Sequence, residues 1–205
     1  NLAQREKLSD FAFQHDLARL SWGEKDPEPI VILRSPQVVL GGIAVEIPQY
    51  SFLQASLEAE AILIDSVLNH IGSFSKVADL YSGIGTFALP LSISGAQVVA
   101  YDDNEPTIQA LNTAVNSAAG RINLTAKRRN LVNYPVTSEE LKNIGGVVLD
   151  PPRAGAKSQC IALSSSSVDR ISYVSCNPKT FARDSRYLAD GGFTLVSVVP
   201  INQFP

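Results

Sequence analysis

One cysteine in this sequence has neighbours that suit a nucleophile. Cys176 follows the apolar run 170–174, which is typical of a buried strand. A thiol attacks as its thiolate, so it needs positive charge or a helix N-terminus close by. Pro178 suits the first turn of a helix, and Lys179 and Arg183 follow it within about a turn. Cys176 is therefore a candidate for covalent catalysis.

A second polar loop follows the apolar run 146–149 and reads Asp-Pro-Pro-Arg-Ala-Gly over residues 150–155. Two consecutive prolines fix their own φ angles and hold the preceding residue extended, so this loop is stiff. We expect Asp150 to accept a hydrogen bond from a nucleobase N–H. We expect Arg153 to position a phosphate or to favour the ionised form of a nearby thiol. An alternative with equal support from the sequence is a structural proline turn, in which Asp150 and Arg153 form a surface ion pair without a role in binding.

A glycine-rich turn, 81–86, joins a strand pattern to the start of a helix pattern. Gly83 and Gly85 allow a tight turn and let the backbone approach a ligand with no Cβ in between. The next strand pattern ends at Asp102, whose carboxylate is in position to accept hydrogen bonds from ribose hydroxyls. Tyr81 lies in the same turn, so these residues form a candidate cofactor loop.

Asp79 distinguishes between the two kinds of nucleotide cofactor that use such a turn. The dinucleotide fingerprint needs a third small residue, which Ala88 provides in the looser form, so the glycines alone do not decide. A carboxylate at the end of the first strand suits the positively charged amino-acid group of S-adenosylmethionine and would repel a pyrophosphate. We therefore expect S-adenosylmethionine rather than NAD, with Asp150 as a further contact. The alternative is a glycine turn that binds no ligand.

Asn130 follows the third strand pattern of the same series. In this topology its side chain is expected to lie beside an adenine. The basic residues just before it, Lys127 and Arg128, are interpreted as the solvated end of a strand.

These loops depend on alternating strands and helices after residue 50. Strand patterns fall near 76–80, 97–101, 122–126, 146–149, 170–175 and 193–200. Helix patterns fall near 53–70, 86–93, 105–118, 156–163 and 179–189. Strands separated by helices form right-handed crossovers, so we predict an α/β, Rossmann-like domain with a mostly parallel sheet.

The first 50 residues have a different pattern. Helical spacing runs through residues 1–20, and the charged segment 24–29 is broken by prolines. Three short strand patterns follow, at 30–34, 37–40 and 43–47. We predict a small α+β appendage over residues 1–50, with the α/β domain over 51–205.

Composition excludes several classes of protein. The net charge is −3 over 205 residues, so any contact with nucleic acid must be local or come from another domain. Cys176 and Cys160 make no disulfide framework, and the two histidines are too far away in sequence for a metal site. Cys160 lies among apolar residues and is typical of a buried, inert thiol. No stretch is long enough to span a membrane and no signal peptide is found, so we expect a cytoplasmic protein.

Three segments together resemble the RNA 5-methyluridine methyltransferases, the family of tRNA and rRNA uracil-C5 methyltransferases. They are Asp79–Phe87, Asp150–Gly155, and Ser-Cys-Asn-Pro at 175–178 with Thr180 and Arg183-Asp184 behind it. The resemblance covers about residues 50–205 well and the first 50 loosely. It implies the class I methyltransferase fold, S-adenosylmethionine as the cofactor and RNA as the substrate.

The resemblance also implies a further cofactor contact before the first glycine turn. Phe52-Leu53-Gln54 resembles a Phe-x-Gln-x-Asn motif whose glutamine contacts the cofactor, which places Gln54 in the cofactor site. Ser56 stands where that motif has asparagine.

The family's mechanism assigns the remaining roles. The Cys176 thiolate adds to C6 of a flipped-out uracil, C5 takes the methyl group, and a general base removes the C5 proton. In the family the base is a glutamate in a His-x-Glu segment shortly after Phe-Pro, and this sequence ends at Phe204-Pro205. We therefore expect a piece of a longer protein, without the base, the last strand or an N-terminal RNA-binding domain. Such a piece is expected to bind cofactor but to turn over poorly.

Two alternatives remain open at this point. One is a methyltransferase acting on an exocyclic nitrogen, whose corresponding loop has an aromatic residue where Arg153 stands. It needs no thiol, so Cys176→Ala separates it from the uracil enzyme. The other is a module that binds S-adenosylmethionine or RNA without catalysis.

Overall fold

The computed structural model describes residues 2–24 and 27–203. Lys25 and Asp26 of the predicted charged loop lie outside the described residues. Asn1, Phe204 and Pro205 also lie outside the described residues. The prediction that the general base follows Phe204-Pro205 is therefore not tested by the structure.

A five-stranded, fully parallel sheet forms the centre of the α/β region, in the order β7-β6-β5-β8-β9. Its strands are β5 (Lys76–Leu80), β6 (Gln97–Asp102), β7 (Asn123–Arg128), β8 (Gly146–Leu149) and β9 (Arg170–Tyr173). The predicted α/β class and parallel sheet are confirmed. The order reverses between β5 and β8, and ligands of open α/β sheets bind outside the carboxyl ends of the strands at such a point.

Helices occupy both faces of this sheet. They are α2 (Leu57–Ile71), α3 (Ala88–Ile93), α4 (Glu105–Ser117), α5 (Lys157–Leu163) and α6 (Pro178–Asp190). Three begin at a side-chain cap of the kind that satisfies free N–H groups at a helix start. Ser56 Oγ accepts from Ala59, Asn104 from Thr107, and Asn177 from Lys179.

Two hydrophobic clusters fill the two faces of the sheet. One lies against α2, α3 and α4 and includes Val77, Val98 and Val148. The other lies against α5 and α6 and includes Leu80, Val147 and other buried residues of the central strands. Because the central strands are covered on both faces, their side chains are nearly all apolar, as expected for a parallel sheet.

The N-terminal region consists of α1 (Leu2–Gln14) and two antiparallel hairpins. The first hairpin pairs β1 (Arg19–Trp22) with β2 (Glu28–Ile32), and the second pairs β3 (Gln37–Leu40) with β4 (Ile43–Glu46). Leu40, Ile43 and Val45 of the second hairpin lie in the same cluster as α2, α3 and α4. A domain boundary near residue 50 stays a prediction, although this hairpin shares a core with the sheet.

The strand predicted near 193–200 is wrong. No residue of that segment is assigned to a strand, and α6 is followed by irregular chain to residue 203. The β-branched pattern is present, but Leu195, Val196 and Val198 are more than half exposed and no neighbouring strand accepts their backbone bonds. A strand needs a pairing partner, which a local pattern cannot supply.

Within residues 2–24 and 27–203, no helix has the length and apolar character needed to cross a membrane. Over the same residues, no group of three or more His, Cys, Asp or Glu side chains could hold a metal ion.

Candidate active site

The candidate side chains come from loops at one edge of the sheet. Asp79 lies near the end of β5, Asp102 ends β6, and Asp150 follows β8. Cys176 lies between β9 and α6. Since parallel strands all end at the same edge, the order of the sheet places the glycine turn next to the Asp150 loop, and that loop next to the cysteine.

The glycine turn has the backbone geometry that its residues predict. Gly83 has a φ of +53°, and a Cβ added there would meet nothing within 4 Å, so its surface is open. Gly85 has a φ of +97°, and a Cβ there would lie 2.7 Å from Leu111, so this position is closed to larger residues by packing. Tyr81 adopts a φ of +66°, which is costly for a bulky residue and tends to occur at functional sites.

Asp102 holds this turn in place. One carboxylate oxygen accepts from the Gly83 N–H at 2.9 Å, and the other accepts from the Asn104 N–H at 2.8 Å. A carboxylate oxygen accepts more than one hydrogen bond, so these contacts leave room for the predicted ribose contact. That role stays a prediction.

Asp79 is a carboxyl group buried without a partner. It is 0 % exposed, and neither of its oxygens has a hydrogen-bond partner among the described residues. Burial, followed by the neighbouring Asp150 carboxyl, raises its pKa to about 8. The Ala88 amide opposes this rise in pKa but does not reach hydrogen-bond geometry with the carboxyl. Such an orphaned acid is stabilised by a bound cation.

Asp150 shares this acidic environment. Its backbone N–H continues the sheet by donating to the Leu80 carbonyl at 3.2 Å, and burial raises the pKa of its carboxyl to about 6. Perturbed acids in a crevice at the end of a sheet are typical of functional sites.

Asn130 and Gln54 occupy different surroundings. The Asn130 side chain donates to Asp103 at 2.8 Å and accepts from the Asn133 N–H at 3.0 Å, so it orders the turn after β7. Gln54 is half-buried in the segment before α2, beside Ala55, whose N–H donates to Gln203. The cofactor contacts of Asn130 and Gln54 stay predictions.

Cys176 is exposed and lies directly before the cap of α6. The cap residue, Asn177, accepts from the Lys179 N–H at 3.1 Å. A helix of this length presents free N–H groups and partial positive charge at its start, which favours an anion such as a thiolate.

The cysteine loop is tied to the loop that carries Asp150 and Arg153. The Asn177 side chain donates to the Arg153 carbonyl at 3.0 Å, and the Thr180 hydroxyl donates to the same carbonyl at 3.2 Å. The Arg183 guanidinium donates to the Ala154 carbonyl at 2.9 Å. These bonds fix the two candidate catalytic loops as one unit.

Sequence reasoning missed the centre of this unit, which is Asp184. It is 0 % exposed and accepts hydrogen bonds from the Ala156 N–H and the Tyr173 hydroxyl, each at 2.7 Å, and from Arg183 at 2.8 Å. Burial and the bond to Asp184 raise the pKa of Tyr173. The Arg183-Asp184 pair was visible in the sequence, but its partners lie in two distant segments, the loop after β8 and β9.

Gly155 explains how closely the loops approach. Its φ is +79°, and an added Cβ would overlap the Asp184 carboxylate and lie 2.7 Å from Arg183. Only glycine lets the backbone lie against this side-chain cluster.

Cys160 has the inert character predicted for it. It is 0 % exposed in α5, and burial, with a smaller effect of Asp184, raises its pKa to about 12. A thiol with so high a pKa is a poor nucleophile at neutral pH.

Comparison with known families gives a match over most of the chain. The family model described as tRNA (Uracil-5-)-methyltransferase matches residues 43–205. A protein of Caulobacter vibrioides named as an uncharacterized RNA methyltransferase is 46 % identical over 98 % of this chain and 47 % of its own length. A similarly named protein of Mesorhizobium japonicum is 41 % identical, over 98 % of this chain and 48 % of its own. The chain thus spans about half the length of these relatives.

Solved structures give the same fold. A Pyrococcus abyssi tRNA (uracil-54, C5)-methyltransferase, solved with S-adenosyl-L-homocysteine, superposes with a TM-score of 0.72 and 28 % identity. The match covers 90 % of this chain and 42 % of that one. A putative transferase of Pyrococcus horikoshii shares the fold alone, with a TM-score of 0.63 at 15 % identity. The predicted class I methyltransferase fold is confirmed.

Proposed function

Because the chain belongs to the tRNA (uracil-5-)-methyltransferase family, we propose that it is the catalytic part of an RNA uracil-C5 methyltransferase that uses S-adenosylmethionine. The observation that carries this proposal is the exposed Cys176, bound through its neighbour Asn177 to the stiff loop of Asp150 and Arg153. A methyltransferase acting on nitrogen has no need of a thiol in that position. The substrate class is RNA, either tRNA or rRNA.

The residues around the glycine turn fit S-adenosylmethionine. The cofactor carries an ammonium group, and Asp79 is a buried carboxyl with no hydrogen-bond partner in the part of the chain that the structure describes. Its ribose hydroxyls need acceptors, and Asp102 lies at the end of β6. The open face of Gly83 lets the cofactor approach the backbone. When bound, S-adenosylmethionine supplies an electrophilic methyl group.

The chemistry begins at Cys176. Its thiolate forms a bond to C6 of uracil, and the C5–C6 π electrons shift toward the C4 carbonyl to give an enolate. This makes C5 nucleophilic, which uracil C5 by itself is not, and C5 then takes the methyl group as the methyl–sulfur bond breaks and S-adenosylhomocysteine is left. A base removes the C5 proton, the C5–C6 double bond re-forms, and the thiolate leaves as the original Cys176.

Asp150 and Arg153 hold the uracil during these steps. Asp150 accepts a hydrogen bond from the uracil N–H, and Arg153 holds a phosphate of the same nucleotide. The prolines between them fix the backbone positions from which both side chains extend. The target nucleotide is extruded from its stack, since C6 of a stacked base is inaccessible to a thiol.

The test uses the full-length protein with RNA that carries 5-fluorouridine and with S-adenosylmethionine present. Fluorine does not leave from C5 as a proton does, so the covalent adduct accumulates and mass spectrometry detects it. We expect the adduct with the native protein and with Cys160→Ala, and its loss with Cys176→Ala.

Two results would contradict the proposal. An adduct that persists in Cys176→Ala would move the nucleophile elsewhere. No adduct across several cellular RNAs, with cofactor binding intact, would favour nitrogen methylation or a module that binds without catalysis.

A further inference from the structure

A groove of about 260 Å³ crosses the sheet face on the β7 side of α5 and α6. Its polar lining comes from Lys76 of β5, Gln97 of β6, Thr125 and Lys127 of β7, and Lys142 of the segment before β8. This face is open here because β7 is followed by turns instead of a helix.

The register of the strands sets the direction of the groove. Lys76 pairs with Gln97 at the amino end of the sheet. Lys127 pairs with Tyr101, four residues further along β6, which corresponds to about 13 Å along the strands. The groove therefore runs diagonally from the amino end of β5 to the carboxyl end of β7, where the candidate cofactor site begins.

Its positive charge is largely uncompensated. Lys76 and Lys127 form no ion pair within the part of the chain that the structure describes. Lys142 lies 3.9 Å from Glu139, and both of these side chains are more than two-thirds exposed, so water screens the pair. Three lysines in one concavity thus form a local positive site in a chain whose net charge is −3.

We propose that this basic groove binds the phosphate backbone of the RNA substrate, away from the nucleotide that reacts. This inference rests on the proposed function and adds to it a path for the RNA across the catalytic domain. Lysine ammonium groups bind phosphates as point charges, and Gln97 and Thr125 offer polar groups to phosphate oxygens. The contact is independent of base sequence, because none of these groups needs to reach a base edge.

The experiment measures binding of a short oligouridylate to the full-length protein over a range of about 50 to 200 mM salt. The variant is the triple substitution Lys76→Gln, Lys127→Gln and Lys142→Gln. The matched control is Lys→Arg at the same three positions, which keeps the charge. Arg186→Gln on α6 removes one positive charge outside the groove and so controls for the location of the charge, and melting temperature checks that each variant folds.

We expect the Lys→Gln triple variant to bind the oligouridylate more weakly. The negative slope of the log association constant against log salt should become shallower by about 2, since each lost phosphate contact removes about 0.7. The Arg triple and Arg186→Gln should bind like the native protein. An unchanged salt slope in the Gln triple would overturn the proposal, and so would equal losses in the Gln and Arg triples.

Methylation kinetics separate this proposal from the proposed function. If the groove binds RNA, the Gln triple raises KM for RNA and leaves kcat at saturating RNA unchanged. A native KM in the Gln triple, with methylation of uridine intact, contradicts the groove alone. Failure of uridine methylation in the native protein contradicts the proposed function and leaves the salt dependence of binding to test the groove.

Discussion

Asp79 is a carboxyl group that folding places in the interior, where neither of its oxygens has a hydrogen-bond partner within residues 2–24 and 27–203. Its pKa rises from 3.8 to about 8, so the folded protein holds this proton more tightly than the unfolded chain does. Protonation of Asp79 contributes its full amount to the free energy of unfolding below pH 3.8, and this contribution is lost as the pH rises through about 8. Across that window the loss is about 1.4 kcal/mol for each pH unit.

Asp79→Asn should therefore stabilise the ligand-free protein and weaken cofactor binding. An amide has no charged form to bury, so the gain in melting temperature over the native protein should grow between about pH 5 and 8. Loss of the ion pair with the cofactor ammonium should weaken binding of S-adenosylhomocysteine by about 10- to 100-fold. Thermal melts at several pH values and titration calorimetry measure the two effects.

The pH dependence of binding gives a second readout for the same residue. In the native protein Asp79 must release its proton to pair with an ammonium, so affinity should rise with pH up to about 8. Asp79→Asn should lose that dependence. Asp65→Asn, at an exposed position on α2, is the control and should match the native protein. Native affinity in Asp79→Asn would remove this residue from the cofactor site.

At the scale of elements, Asp184 joins α6 to two strand ends. It accepts from the backbone of the Asp150 loop through Ala156 and from β9 through Tyr173. Removing one partner from such a buried cluster leaves the others unsatisfied, which costs about 1–3 kcal/mol for each group. We therefore expect Asp184 to influence catalysis only indirectly, by positioning the loops that carry Arg153 and Cys176.

Tyr173→Phe tests this positioning role with a small change. It removes one hydroxyl from the Asp184 cluster, so we expect a lower melting temperature and a lower kcat for RNA methylation. Affinity for S-adenosylhomocysteine should stay unchanged, because the glycine turn follows β5 and is held by Asp102 at the end of β6. The combination of reduced kcat with native cofactor affinity separates positioning from general loss of structure. Asp190→Asn, at the exposed end of α6, should leave all three quantities unchanged.

Local patterns predicted the elements that local residues decide. The strands at 76–80 and 146–149 were placed at their observed bounds, because a short run of apolar residues between turn residues needs little context. The helical pattern predicted over residues 1–20 is wrong at its end, because α1 stops at Gln14 and pairing with β2 makes residues 19–22 a strand. The segment 193–200 failed for the opposite reason, since it has the pattern and lacks the partner.

The candidate site also contains features that local sequence predicts and features that depend on contacts between distant residues. The glycine turn and its φ angles follow from Gly83 and Gly85 themselves, so they were visible in the sequence. The role of Asp184 depends on contacts with residues 11 and 28 positions away, which no local pattern encodes. The basic groove was likewise hidden: Lys127 was interpreted as a solvated strand end, and only the sheet register brings it to the same concavity as Lys76.

At the scale of the whole molecule, the candidate cofactor residues and the cysteine loop follow strands that differ in how many neighbouring strands pair with them. Three candidate cofactor residues, Asp79, Asp102 and Asp150, lie in or directly after the central strands β5, β6 and β8, which are paired on both sides. The cysteine follows β9, which is an edge strand of the sheet. Beyond α6, the exposed residues Leu195, Val196 and Val198 present an apolar stretch that no described strand covers. Cys176, the proposed nucleophile, therefore follows the strand that has fewer pairing partners.

This asymmetry predicts which function residues 1–205 retain when they are produced alone. The relatives are about twice as long as this chain, so the catalytic base is proposed to lie in the additional sequence. Residues 1–205 should bind S-adenosylhomocysteine within a few-fold of the full-length protein, because the proposed cofactor contacts Asp79, Asp102 and Asp150 lie at the ends of the central strands. Their single-turnover rate of uridine methylation should be close to background, while the full-length protein methylates. Calorimetry and transfer of a radiolabelled methyl group measure these quantities side by side. Equal rates for the two proteins would mean that residues 1–205 contain the base, and Asp150, with its pKa near 6, would then be the first candidate.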